Sequence, residues 1–269
     1  ILIKLTFIMK ITVIGSGNMG GALIKGWAKK NLQQLTITAK TQTTLDKYTT
    51  LFSNINTTLN NRSAVKGAEI IVLAVKPWLI PQIIEEIKDA IDFKKQIIIS
   101  VAANIYNDTL RDLFDNQEAD IFYVMPNIAA EFYESMTFIV PAENIEERKI
   151  KKVEELFLQL GKVKICSNKE VVAGNMLSGC GIAYIMRFLH AMMEGGVEMG
   201  LYPKDAQAIA MQAMKGAVAV LEGSDIHPAV AIDKVTTPGG LTIRGLNELD
   251  HAGFNSAIIR CLKAGLDKN

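Results

Sequence analysis

The residues whose spacing suggests chemistry begin at Gly15-Ser16-Gly17-Asn18-Met19-Gly20. Glycines at the first, third and sixth places of such a turn suit the pyrophosphate of a dinucleotide. Gly15 permits a sharp bend, Gly17 lets backbone N–H groups come up to the phosphates, and Gly20 lets the next helix pack close to the strand. The amides of Asn18 and Met19, at the positive end of that helix, complete an anion site. A second set lies far along the chain at Pro238-Gly239-Gly240-Leu241-Thr242. A turn ahead of a helix presents free N–H groups and makes a receptor for a carboxylate, although proline and glycine also serve as plain punctuation there.

The first set carries weight through its context. It is entered from the apolar run Lys10-Ile11-Thr12-Val13-Ile14 and left through a segment of helical period at residues 21–27. Period two giving way to period 3.6 means strand, tight loop, helix, and so a Rossmann-type dinucleotide fold. A second strand at residues 35–39 should end in an acid if the ligand were NADH, since an acid there accepts from the ribose hydroxyls. Instead Lys40, Thr41, Thr43 and Thr44 follow, and the first acid is Asp46. An ammonium group with clustered hydroxyls suits a 2′-phosphate, so NADPH is expected, with NADH the second choice.

The continuous apolar run at residues 69–75 is typical of a buried parallel strand. It stops at Lys76-Pro77-Trp78. Ligands bind outside the carboxyl ends of such strands, which places Ala74, Val75, Lys76 and Pro77 near the nicotinamide half of the cofactor. Further strands are expected at 55–59, 96–101, 121–125 and 162–166, and helices at 81–90, 107–114 and 148–160. Trp27 and Trp78 are expected to serve packing.

After residue 166 the grammar changes, because no convincing strand remains and apolar residues recur at helical spacing. The expectation is an α/β domain over residues 9–165 followed by an all-α domain over 166–269. The later helices carry apolar residues on more than one face, including Met186, Met192, Met193, Met199, Met211 and Met214. A segment that cannot hide those faces internally calls for a homo-oligomer; the alternative is that methionines fill gaps in a monomer's own core.

Composition narrows the partners. The 269 residues carry 29 basic and 28 acidic side chains, a net charge of +1, so no broad footprint for nucleic acid or an anionic membrane is present. The expected partner is a small molecule. Cys166, Cys180 and Cys261 are scattered, as are His190, His227 and His251, which argues against a disulfide framework and a metal site and fits a reducing cytoplasm. Residues 1–8 are too short for a signal core and lack a small-residue cleavage site; Met9 is the expected start and the rest an upstream extension. No stretch is expected to be apolar over the length a membrane span needs.

Several stretches together resemble pyrroline-5-carboxylate reductase. They include the Gly15 to Gly20 fingerprint, Leu73-Ala74-Val75-Lys76-Pro77, Ser100-Val101-Ala102-Ala103, Met125-Pro126-Asn127, Ser178-Gly179-Cys180-Gly181-Ile182-Ala183-Tyr184, Asp233 through Thr242, and Gly253-Phe254. The Pro-Gly-Gly turn followed by a hydroxyl residue is the most specific of them. The resemblance implies reduction of a cyclic imine to proline with NAD(P)H, and a helical domain that intertwines with a second subunit, in dimers or larger rings of dimers.

It also implies residue roles. Thr242 would set its hydroxyl beside the ring nitrogen, with Thr237, Gly239, Gly240 and Leu241 forming the carboxylate turn. Ser178, Gly179 and Gly181 would bring small residues and backbone against the substrate, with Tyr184 as a wall. Lys76, Ala102 and Ala103 would lie on the cofactor side. Asn127 would bond the carboxamide or, equally, cap a loop. Asp225 matches an acidic position near the substrate, its plainer reading being a solvated helix-end carboxylate. The chain departs from the pattern at Tyr123, where an arginine is usual, at Ile128 and Ala129, and at Cys180 and Ile182. Two alternatives remain: a nucleotide-binding scaffold without turnover, and a β-hydroxyacid dehydrogenase. The latter uses a lysine on the first long helix of its second domain, and no lysine stands between Lys169 and Lys204.

Overall fold

The computed structural model describes residues 9–31 and 33–266, so the expectation for residues 1–8 lies outside the described residues. Contacts divide the chain into two compact units, the first ending at Gly179 and the second starting at Cys180.

The first unit is built on an eight-stranded sheet, β1 Met9–Ile14, β2 Gln33–Thr38, β3 Ile55–Thr58, β4 Ile70–Leu73, β5 Ile97–Ser100, β6 Ile121–Met125, β7 Ser135–Pro141 and β8 Gly161–Ile165. Their order is β3-β2-β1-β4-β5-β6-β7-β8. Neighbours run parallel except β7 against β6. Helices α1 Asn18–Lys30, α2 Gln42–Leu51, α3 Asn61–Ala64, α4 Ile80–Ile87, α5 Asn107–Phe114 and α6 Glu147–Leu158 connect the strands. Because a parallel sheet is covered on both faces, its central strands lose the alternation of a half-exposed strand: all four residues of β4 and of β5 are buried. Trp27 anchors one layer, its ring edge-on to Phe157 at 5.5 Å and its Nε1 donating to the Leu156 carbonyl at 3.2 Å.

The expected strands and helices are present, with ends displaced by one or two residues in most. β7 was not expected. A βα alternation leads one to anticipate a helix between parallel strands; instead a 3₁₀ turn, Ile128–Phe132, closes on Tyr133 in the left-handed region (φ 66°) and the chain doubles back as an antiparallel strand. The expected packing role of Trp78 is also corrected: its side chain is 74% exposed, carried outward on the short turn Pro77–Leu79. The first unit also retains α7, Asn168–Asn175, a helix beyond the last strand. Val171 packs with Tyr123, Met125, Phe138 and Val140, and a β-carbon at Gly174 would run into the Phe138 ring. A π turn, Met176–Cys180, comes next.

Among its described residues the second unit is helical: α8 Gly181–Glu198, α9 Pro203–Ser224, α10 Pro228–Lys234, α11 Leu241–His251 and α12 Phe254–Ala264. Among those same residues the buried apolar side chains of a single chain are Ala206 and Ala210, while Ile185, Met186, Met192, Met199, Ile209 and Met211 are exposed. The expectation that no stretch has the length and apolarity of a membrane span needs correction, since the helical run Asn168–Glu198 has both. Most of that run is exposed in the single chain, and it also carries Arg187, His190 and Glu194.

Candidate active site

One row of the sheet organises the cleft. Thr38, Ile14, Leu73, Ser100 and Tyr123 are register partners across β2, β1, β4, β5 and β6, so the loops after these strands start at nearly one level. Parallel strand direction therefore collects Gly15, Lys40, Ala74 and Ala102 at the same sheet edge.

Each glycine of the first loop has a distinct surrounding. Gly15 adopts φ +98°, and a β-carbon there would come within 2.7 Å of the Ala74 carbonyl oxygen and 2.8 Å of Val75. At Gly20 a β-carbon would collide with the Gly15 carbonyl oxygen and lie 3.0 Å from the Ala74 methyl. Gly17 has no heavy atom within 4 Å of that position and is exposed. Two glycines thus allow close packing, and the third leaves an open approach. Gly17 caps α1 without any side-chain bond, Asn18 is exposed, and no acid stands in the first turn. The helix end consequently offers unpaired amides and positive potential to an anion.

Tyr48 on α2, which the sequence reading missed, fastens this loop. Its hydroxyl donates to the Ser16 carbonyl at 3.2 Å and lies against Gly21, where a β-carbon would come within 2.6 Å of it. Burial pushes the hydroxyl above its ordinary pKa. A single tyrosine on a mostly polar helix gave no pattern from which to predict this.

The rim is polar where the 2′-phosphate was expected. Lys40 and Thr41 are exposed, and the Thr41 and Thr44 hydroxyls lie 2.9 Å apart at the start of α2. Ala74 and Val75 are half-buried beside Gly15, Lys76 is exposed, and Pro77 opens its 3₁₀ turn. After β5, Ala102 is buried, with its N–H donating to Ser100 Oγ at 3.3 Å, while Ala103 is exposed.

Asn127 caps the turn that follows it. Its Oδ1 accepts from Ala129 N at 3.0 Å, its own N–H donates to Ser135 Oγ at 3.2 Å, and its Nδ2 donates to the Ser178 carbonyl at 3.4 Å. Ser178 therefore reaches the carboxyl end of β6. Its Oγ is buried and has no hydrogen-bond partner among the described residues. The adjacent Gly179 presses on Asn175, whose Oδ1 a β-carbon would strike.

In the second unit, Gly181 is buried on α8 and Tyr184 is half-buried one turn further on. Burial and the thiols of Cys261 and Cys180 hold the Tyr184 hydroxyl above its ordinary pKa. Asp225 ends α9 in the left-handed region (φ 48°) and is exposed. Gly240 N donates to the Thr237 carbonyl at 2.9 Å, which closes a four-residue turn. Pro238 in the second place and Gly239 in the third (φ +69°) are the residues a type II turn requires. Gly240 then caps α11 with no side-chain bond and no acid in its first turn, while Leu241 is 85% exposed and Thr242 is exposed. This is a second helix start with free amides, and Thr242 adds a hydroxyl beside them.

Comparison with known proteins matches the two ends of the chain to two different families. Residues 168–269 match the family described as pyrroline-5-carboxylate reductase dimerisation, and residues 10–104 the family described as NADP oxidoreductase, coenzyme F420-dependent. Pyrroline-5-carboxylate reductase 1 of Dictyostelium discoideum is 32% identical over 96% of this chain and 49% of its own, so the chain spans about half that relative's length. Pyrroline-5-carboxylate reductase 2 of the same organism is 31% identical over 96% of this chain and 91% of its own. Among solved structures, the Plasmodium falciparum pyrroline carboxylate reductase with NADP bound superposes with a TM-score of 0.86 at 26% identity, covering 97% of this chain and 96% of its own.

Proposed function

This chain belongs to the pyrroline-5-carboxylate reductase family, and we propose that it reduces 1-pyrroline-5-carboxylate to L-proline with NADPH, the last step of proline biosynthesis. It is thus an oxidoreductase acting on a C–N group. The observation that carries this reading is the glycine cradle closed at Gly15 and Gly20 and open at Gly17, in front of an uncapped helix.

When bound, the nicotinamide supplies hydride to the ring carbon of the C=N bond. The chain's own residues bind, orient and neutralise. Amides of Gly17, Asn18 and Met19 would hold the pyrophosphate, and Lys40 and Thr41 the 2′-phosphate. Residues 74–77 and 102–103 would border the nicotinamide end, with Asn127 shaping the neighbouring loop. The Gly239 and Leu241 amides would receive the substrate carboxylate, with Thr237 and Gly240 closing the turn that presents them and Thr242 set to hydrogen-bond the ring nitrogen. Ser178, Gly179, Gly181 and Tyr184 would form its wall, with Asp225 nearby. The iminium is the better acceptor and can collect its proton from water or a hydroxyl. No strong general base is required, so catalysis rests on positioning and electrostatics.

The nearly coreless second unit and its dimerisation-family match support a homodimer, or a larger ring of dimers, in which the helices of residues 166–269 cover one another. We place the enzyme in the cytoplasm, as three separate free thiols support. Oxidation of NADPH by the purified protein, with and without the imine, tests the reading. Substrate-dependent oxidation is expected. Binding of NADPH without turnover would instead indicate a nucleotide-binding scaffold, the alternative that the departures at Tyr123, Ile128 and Ala129 keep open.

A further inference from the structure

We propose that Tyr123 is a positioning residue for the nucleotide and acts through the loop at residues 101–104. The proposal rests on the reading that this loop borders the nicotinamide end of the cleft. Tyr123 lies on β6 and is 2% exposed. Its ring packs edge-on to Tyr106, centroids 5.0 Å apart, and belongs to the cluster of Met125, Phe138, Val140 and Val171. The aromatic ring alone would meet those packing needs, and a buried hydroxyl is costly unless it is bonded.

The hydroxyl does have a partner, and that partner lies in the loop. Tyr123 pairs in register with Ser100, yet its Oη reaches beyond that residue to accept the backbone N–H of Asn104 at 3.3 Å. Asn104 stands in the left-handed region (φ 63°), which a residue other than glycine enters at some cost and holds only when its surroundings fix it. Ser100 Oγ meanwhile accepts the N–H of Ala102 at 3.3 Å. Two hydroxyls on paired residues of adjacent strands therefore fasten alternate amides of one loop, and Ala103, exposed between them, is held in place from both sides.

The test compares the full-length wild type with Tyr123→Phe, which keeps the ring. NADPH affinity is measured by calorimetry, exchange of the Asn104 amide by NMR, and steady-state constants in parallel. Loss of one such bond is expected to accelerate exchange at Asn104, weaken NADPH binding by about three- to ten-fold, and raise KM for NADPH equally. kcat and KM for the imine should be unchanged. Ser100→Ala, which frees the other amide, should weaken NADPH in the same way, so a folding defect in one variant does not decide the matter. Equal NADPH affinity in wild type and both variants would overturn the proposal alone. A wild type that binds no NADPH would overturn the functional reading and the proposal together.

Discussion

Gly20 faces the Gly15 carbonyl oxygen with no room for a β-carbon between them, whereas Gly17, between the two in sequence, faces nothing within 4 Å. Gly20→Ala should therefore lower both the melting temperature and NADPH affinity, because the start of α1 must move. Gly17→Ala should leave the melting temperature nearly unchanged and weaken NADPH by about ten-fold or more, because the methyl enters the phosphate approach. Thermal melts and calorimetry on both variants separate the roles. Undiminished binding by Gly17→Ala would show that no pyrophosphate sits there.

Thr242 contributes a hydroxyl at the start of α11, in the second unit. Thr242→Ala should lower kcat/KM for the imine by about ten- to a hundred-fold, the range for one lost transition-state hydrogen bond, while NADPH affinity stays constant. Thr242→Ser should recover most of the activity. Parallel loss of cofactor affinity would assign the residue a structural task instead.

Lys40 stands exposed where an acid would mark preference for the unphosphorylated cofactor. Lys40→Glu should shift the NADPH-to-NADH ratio of kcat/KM toward NADH by about ten-fold or more, since it removes an attraction and adds a repulsion at the 2′-phosphate. An unaltered ratio would place the phosphate elsewhere.

Burial holds the Tyr123 hydroxyl up to about 12, against 10.0 in the absence of the fold. Between these values the unfolded chain releases the proton while the folded chain keeps it, so the unfolded state binds fewer protons. The stability tied to this group is full below pH 10 and is lost as pH rises toward 12, by on the order of 2 kcal/mol. Denaturant melts of wild type and Tyr123→Phe across that interval should show the loss in the wild type only, once the effects common to both are subtracted.

The α/β half could be read from the sequence because its strands are buried on both faces and written as apolar runs, each followed by a helical period. The glycine loop was equally clear, since Gly15 and Gly20 are spaced by backbone geometry that no other residue satisfies. β7 was missed because its reversal depends on a left-handed Tyr133, a residue with no turn signature. Tyr48 and the Tyr123–Asn104 bond were also missed, since both join residues distant in sequence through one hydroxyl. Trp78 was misjudged on residue type, for a large ring implies burial only when its element turns inward.

The reversal at β7 has a directional effect. With β7 antiparallel to β6 and β8 parallel to β7, the chain completes its last strand heading away from the edge where the glycine loop lies. α7 brings it back, lying across Phe138 through Val171 and Gly174 until Ser178 meets Asn127. This helix therefore acts as a spacer of fixed length and phase. Removing one residue from it would shorten the return by about 1.5 Å and rotate the π turn beyond it by about 100°, swinging Ser178 away from its carboxamide partner although no atom of the cleft had been changed.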